Sequence, residues 1–315
     1  MMRWWIAGAI LLAVGAAAAF SSWFRFSSYL HEKSAWRIVG APNHRRALEP
    51  DQIPETVDRH MRVEVGPPGA ELDVWLIEPA GPVEGTTVVL HGVYDRKRTM
   101  VGFGCMLASS AGQRSVLVDL RGHGMSSGDF LSFGQVESRD LAQVLDHLAR
   151  EGLLKPPVSV YGPSYGASVA IQAAANDPRI SKVVAVAGFA SFESIVVPYI
   201  DHFHPQFAWM FSDRWAHSVV DRANALADID LRNNDNVRAI QTTEARVLLI
   251  HGENDRIIGV EHARALFEAC GAPRCRLVIL PDHNHRESMS GDRLNRETLS
   301  WIGGSGGDGL TQADD

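Results

Sequence analysis

The sequence predicts an α/β fold: a mostly parallel, twisted sheet with helices on both faces and an inserted helical cap. Three observations predict it. Short β-branched and aliphatic runs recur along the chain without polar alternation, as strands buried on both faces require. Helix-sized segments separate these runs, so the strands are joined by crossovers rather than hairpins. One long interval, 189–244, breaks the rhythm with no strand of its own, and a stretch of that length is seldom a bare loop.

The first 30 residues stand apart. From Trp4 to Phe24 there is no charged residue, and Arg3 and Arg25 bracket the run. As a helix its 21 residues would reach ~31 Å, about one hydrocarbon core. Trp4, Trp5 and Trp23 lie near its ends, where interfacial aromatics belong. Residues 1–30 are therefore expected to be a single-pass membrane anchor, with a signal segment cleaved at an A-x-A site within Ala16 to Ala19 as the runner-up and a buried core helix third. The expected location is membrane-associated or exported. Lys and Arg are denser after the run than before it, which favours a cytoplasmic domain, whereas a signal-like start favours export. Residues 31–60 are polar and proline-punctuated and read as a linker.

The domain is expected over 61–302. "MRVEV" (61–65) and "ELDVWLIEP" (71–79), across Gly-Pro-Pro-Gly, read as an antiparallel opening pair. Strands follow over 86–90, 114–120, 158–162, 181–188, 245–250 and 276–280. Helices are expected over 98–110, 135–150, 166–175, 260–270 and 291–302; in the second, Val136, Leu141, Val144, Leu145 and Leu148 share one face. The interval 189–244 carries Phe192, Tyr199, Phe203, Phe207, Trp209, Phe211 and Trp215, and reads as a cap over the carboxyl edge of the sheet. From Gly303, "GGSGGDGLTQADD" reads as a disordered tail.

Composition excludes several classes. At 315 residues and 45% hydrophobic, the chain can fill one large core. A net charge of −7 with no Lys/Arg-rich block leaves nucleic-acid binding without electrostatic support. No C-x-x-C pair offers a structural zinc site, and "DHFH" (201–204) has no third ligand in view, so no metal is expected. His202 and His204 then read as surface or pocket-rim residues. The glycine-rich turn "DLRGHGMSSG" (119–128) lacks the G-K-[ST] ending of a phosphate loop, and His123 within it reads as structural. In "CGAPRC", Cys270 and Cys275 either close a small disulfide, implying an oxidising compartment, or remain two thiols at a helix end and a strand start. Cys105 reads as a small buried hydrophobe.

The chemistry is concentrated at "VYGPSYGASVA" (160–170). Gly162-Pro163-Ser164-Tyr165-Gly166 is G-x-S-x-G between a strand and a helix. A serine on so sharp a turn adopts a strained backbone, and side chains two residues either side would collide, so both are glycine. The hydroxyl projects above the sheet as a candidate nucleophile, and the helix behind it offers N–H groups to a developing oxyanion. Serine needs a base. After the strand of "LLIHGENDRIIGV" (248–260), Asp255 sits at a loop tip as the acid that would orient it, with Glu253 as the alternative. After the last strand, "LVILPDHNHRES" (277–288) offers His285 and His283; His285 has the few loop residues needed to swing back over Ser164. The oxyanion donors are expected to be the N–H of Tyr165 and that of Val93, after "VVLHG", with Tyr94 second. His91 reads as the residue that orients this loop.

"VVLHG", "VLVDLRGHGMSSG", "VYGPSYGA", "LLIHGENDRI" and "LPDHNH", in this order and spacing, resemble the α/β-hydrolase superfamily from about residue 61 to residue 302. The chain most resembles the membrane-anchored or secreted serine hydrolases with a helical cap, grouped with esterases, thioesterases and prolyl-oligopeptidase-like domains. The resemblance implies Ser164 as nucleophile, Asp255 as acid and His285 as base. Relatives often carry glycine directly before the histidine, where this chain has Asn284, and His283 is a further departure. The implied reaction is cleavage of an ester or thioester of a small acyl substrate through an acyl-enzyme, without a cofactor. Three rivals stand beside it, one of them a membrane-bound interaction protein whose anchor is its main point. A prolyl-oligopeptidase-like serine peptidase would need anchors for a peptide terminus, and none is legible. A non-catalytic binding protein of the same fold would usually lack a triad member, and here every position is filled.

Overall fold

The computed structural model describes residues 2–45, 52–203 and 212–304. Strand β1 (Arg59–Val65) pairs antiparallel with β2 (Ala70–Ile77), which pairs antiparallel with β4 (Gln113–Val118). From there the sheet is parallel: β4 lies beside β3 (Gly85–Val89), then come β5 (Val158–Pro163), β6 (Ile180–Val186), β7 (Arg246–Gly252) and β8 (Cys275–Leu280). Among the described residues, eight strands form the sheet in the order β1-β2-β4-β3-β5-β6-β7-β8. The chain leaves β3 in one direction and returns on its other side with β5. That reversal opens a crevice at the carboxyl ends of β3 and β5.

The unbroken apolar runs follow from two covered faces. Successive strand residues point to opposite sides. Val88, Val116, Val160, Val183 and Leu249 enter one core with Leu141 and Val144 of α3 (Glu137–Arg150), Val169 of α4 (Tyr165–Asn176) and Leu266 of α8 (Val260–Cys270). Their neighbours Val89, Leu117, Tyr161, Val184 and Leu248 enter a second core with Leu107 of α2 (Val101–Ala111) and Leu294 and Ile302 of α9 (Asp292–Gly303). The interval 189–244 holds α5 (Phe192–Phe203), α6 (Asp213–Ala227) and α7 (Asn236–Thr242). Of its aromatics, Phe192 is buried against Phe133, their ring centroids 4.7 Å apart, and Trp215 packs beside the core. Phe207, Trp209 and Phe211, with His204, lie outside the described residues, as does the expected tail beyond Gly304.

The N-terminal expectation is corrected. Among the described residues no helix is long and apolar enough to cross a membrane, so the anchor, the transmembrane helix and the membrane-associated location built on them fall. The expected anchor and the first nine residues of the expected linker are instead one helix, α1 (Met2–Val39). Its C-terminal part belongs to the domain: Leu30, Ala35, Ile38 and Val39 are buried, the last three within the larger core. The polar residues there are spent on protein partners. Glu32 accepts from Arg222 of α6 at 2.8 Å, and His31 meets Ser218 at 3.0 Å. A linker reading of 31–60 thus holds for none of residues 31–39. The structure also bonds Cys270 to Cys275, while Cys105 is a free thiol packed beside the second core.

Candidate active site

β5 ends at Pro163 and α4 begins at Tyr165, so Ser164 alone makes the turn. Its φ of 50° and ψ of −112° lie outside the regions a side-chain-bearing residue prefers. The Ser164 N–H donates to Val186 O at 2.7 Å, which ties the turn to β6. The glycines on either side are obligatory for separate reasons. A Cβ on Gly162 would overlap the Gly166 carbonyl, and one on Gly166 would stand 2.7 Å from His91 O.

Three strand ends converge here. Asp255 follows β7, His285 follows β8, and Ser164 follows β5. His285 Nε2 lies 3.1 Å from Ser164 Oγ, and its Nδ1 lies 2.6 Å from Asp255 Oδ2. All three residues are buried. Asp255 Oδ1 accepts the N–H groups of Ile257 and Ile258, each at 2.9 Å. Burial would push this carboxyl up, yet the hydrogen bonds from His251, His285 and the Ile258 N–H hold it well below the usual carboxylate range. The alternatives are placed elsewhere. Glu253 is exposed, and His283 donates from Nδ1 to Pro281 O at 2.7 Å on the outside of the loop. Asn284 explains its own departure from glycine: its Oδ1 accepts the N–H groups of Arg286 and Glu287 at 3.0 and 3.1 Å, capping the short turn that carries His285.

The β3–α2 loop faces Ser164 across the crevice. His91 sets its course, donating from Nδ1 to Gly92 O at 2.8 Å and accepting the Leu120 N–H on Nε2 at 3.0 Å. Burial pushes this imidazole down to about 4, so it stays neutral and keeps both bonds. Val93 follows, and the N–H of Tyr165, first residue of α4, is one that helix geometry leaves unsatisfied. His123 lies beneath, its ring centroid 5.5 Å from that of Tyr165. The far end of the loop is pinned by Lys97, which is fully buried: Nζ lies 2.5 Å from Asp119 Oδ2 and 2.7 Å from Asp73 Oδ1, over the Trp75 ring. Sequence reasoning missed Lys97, because in "DRKR" nothing distinguishes the buried cation from the half-buried Arg96 and the exposed Arg98 beside it. It also missed His251, whose signal was a histidine at a strand's carboxyl end four residues before Asp255.

A cavity of about 690 Å³ opens onto Ser164. Phe133, Phe189, Ile195, Ile258, Met100 and Met289 give it apolar lining, and Asp95, Thr99, His285 and Arg286 line it as well. Ile195 comes from α5, within the interval expected to form the cap. Among the described residues no group of three or more His, Cys, Asp or Glu could hold a metal.

A model of the alpha/beta hydrolase family matches residues 87–297, more than half of the chain. The chain belongs to the alpha/beta hydrolase family. Solved structures agree on the fold. An esterase of Pyrococcus furiosus superposes with a TM-score of 0.62 at 20% identity, covering 82% of this chain and 94% of that one. Acetyl xylan esterase 1 from Thermoanaerobacterium sp. JW/SL YS485 gives 0.56 at 17%, covering 88% and 92%. Pyrococcus horikoshii acylaminoacyl peptidase gives 0.54 at 18%, covering 76% of this chain and 39% of the peptidase. Family and fold agree with each other; the membrane-anchored branch expected from the resemblance finds no support. Cyanophycinases of Trichormus variabilis and of a Nostoc species are 31% identical over 81 residues, 26% of this chain and 27% of theirs. The chain thus spans about a quarter of the length of these curated relatives.

Proposed function

We propose that this chain is a serine hydrolase that transfers the acyl group of an ester or thioester to water, with Ser164 as nucleophile, His285 as base and Asp255 as the acid that orients it. The observation that carries this reading is the unbroken relay from Asp255 Oδ2 through His285 to Ser164 Oγ, 2.6 and 3.1 Å, at the floor of an apolar cavity.

The geometry supports the following course. His285 donates its Nδ1–H to Asp255, which leaves Nε2 to accept the Ser164 hydroxyl proton. Oγ attacks the substrate carbonyl carbon as Nε2 takes that proton. The carbonyl oxygen becomes an oxyanion between the N–H groups of Val93 and Tyr165, an arrangement worth ~3–4 kcal/mol to the transition state. Collapse expels the alcohol or thiol, which leaves with the proton from His285 Nε2, and an ester forms at Ser164. Water then enters by the same steps, its proton passing through Nε2 back to Oγ as the acid departs. Throughout, Asp255 stabilises the transient imidazolium. The apolar wall supports an acyl group of moderate apolar length.

A fluorophosphonate probe tests the reading. Wild type is expected to be labelled and Ser164→Ala not, with p-nitrophenyl esters of rising chain length showing an optimum above acetate. Well-folded wild type that resists the probe would overturn it and put the binding-protein reading ahead.

A further inference from the structure

Asp255 serves two imidazoles through one oxygen. His251, in β7 and fully buried, places Nε2 3.3 Å from Asp255 Oδ2, the same atom that His285 Nδ1 approaches at 2.6 Å. The same His251 Nε2 lies 2.8 Å from Ile258 O. Both of its neighbours are acceptors, so Nε2 carries the proton. Among the described residues, Nδ1 is buried with no hydrogen-bond partner, which fits an unprotonated nitrogen. Oδ1 of Asp255 is meanwhile filled by two backbone N–H groups. Every lone pair that could strengthen the bond to His285 is therefore on Oδ2, and His251 draws on it.

We propose that His251 is a positioning residue of the triad, which fixes the Asp255 loop through Ile258 and shares Oδ2 with His285. The inference rests on the function proposed above. Its chemical consequence is a sign. A donor on Oδ2 withdraws charge from the bond to His285, and so weakens the stabilisation of the His285 imidazolium. Without that donor His285 becomes a stronger base, and its protonated, inactive form persists to higher pH. Other charged or titratable groups bear on the pair and stay constant in the comparison. Arg286 and Glu287 sit on the His285 loop, Asp95 lines the cavity opposite, and Glu261 and His262 of α8 flank the Asp255 loop.

The test follows the rate of fluorophosphonate labelling of the full chain between pH 5 and 9. His251→Leu is expected to move the acidic limb up by about 0.5 to 1 unit, as loss of one charge-assisted donor from a shared oxygen implies. His251→Gln, which keeps an N–H at the same reach, is expected to restore the wild-type limb. A merely structural role would lower the rate at every pH without moving the limb, and that result overturns the proposal. Wild type that is never labelled would instead sink the proposed function, so the two failures are distinct. Should His251→Leu not fold, nitrogen NMR of wild-type histidines decides alone: a proton on His251 Nε2 is expected, and one on Nδ1 would overturn the proposal.

Discussion

Ser164 pays for its exposure to substrate with a backbone conformation that only its surroundings hold in place. Those surroundings are residue-sized: two glycines that remove overlaps, a bond to Val186 O, and a histidine whose reach decides which of two neighbours is useful. The glycine spacing was legible in the sequence as a motif, although only the overlap at Gly162 is local, that at Gly166 coming from the distant His91 carbonyl. The choice of Asp255 over Glu253 was legible only as a preference, since both sit after the same strand. Asp255→Asn provides the residue-scale prediction. It keeps the shape but replaces an acceptor by an amide that can donate to His285 Nδ1 and favour the wrong tautomer. Ester turnover at saturating substrate is expected to fall by about 10⁴-fold with KM within a few-fold of wild type. A loss below tenfold would mean that Asp255 does not set the tautomer.

At the scale of elements, α1 is the instructive case. Its last turns pack against α6 and continue to the mouth of the crevice, where Tyr94 donates to Arg37 O at 3.0 Å. Leu131 N–H donates to Val39 O, and Ala41 N–H to Asp129 O. A segment read as anchor and linker from its apolar run is, over its second half, a helix of the hydrolase core. Ile38→Ala separates the two descriptions. A linker residue would tolerate it, whereas Ile38, 1% exposed, is expected to cost about 2–5 kcal/mol in urea unfolding. An unchanged unfolding midpoint would show that α1 does not dock in solution. The strands and the other helices were more legible, because two-sided burial writes a continuous apolar run and one-sided burial writes a stripe.

The whole molecule carries a pH dependence that no single element reveals. His91 and His123 lie in contact, with ring centroids 4.8 Å apart, and both are buried. Burial pushes His91 down to about 4; burial and then the neighbouring His91 push His123 down to about 3. The unfolded chain takes up these protons near 6.5 while the folded chain refuses them. Stability therefore falls as pH drops below about 6.5, by about 1.4 kcal/mol per pH unit for each histidine, until the folded values are reached. Asp255 acts further down: its depressed carboxyl contributes stability above about 4 that is lost as pH falls through its folded value. Unfolding free energies measured by urea at pH 7.5, 6.5, 5.5 and 4.5 are expected to be level at first and then to decline. His262 is held below its ordinary value by burial as well, so His123→Gln is expected to make the slope between pH 6 and 4.5 shallower without removing it. A flat profile for wild type would mean that both imidazoles accept protons in the fold.

The sequence by itself determined the α/β class, the sharp turn at Ser164 and the chain order of Ser164, Asp255 and His285. Burial on two faces gives unbroken apolar runs, and the strand-to-helix turn itself leaves no room for a side chain at Gly162. Tertiary structure alone decided which histidine reaches Ser164, since 121 residues separate the two and only the convergence of strand ends sets their distance. It alone buried Lys97 between Asp73 and Asp119, and brought His251 to the same oxygen as His285. It also decided the fate of the N-terminal helix. An apolar run states that surface must be covered, and the partner that covers residues 30–39 is a groove built from segments distant in the chain.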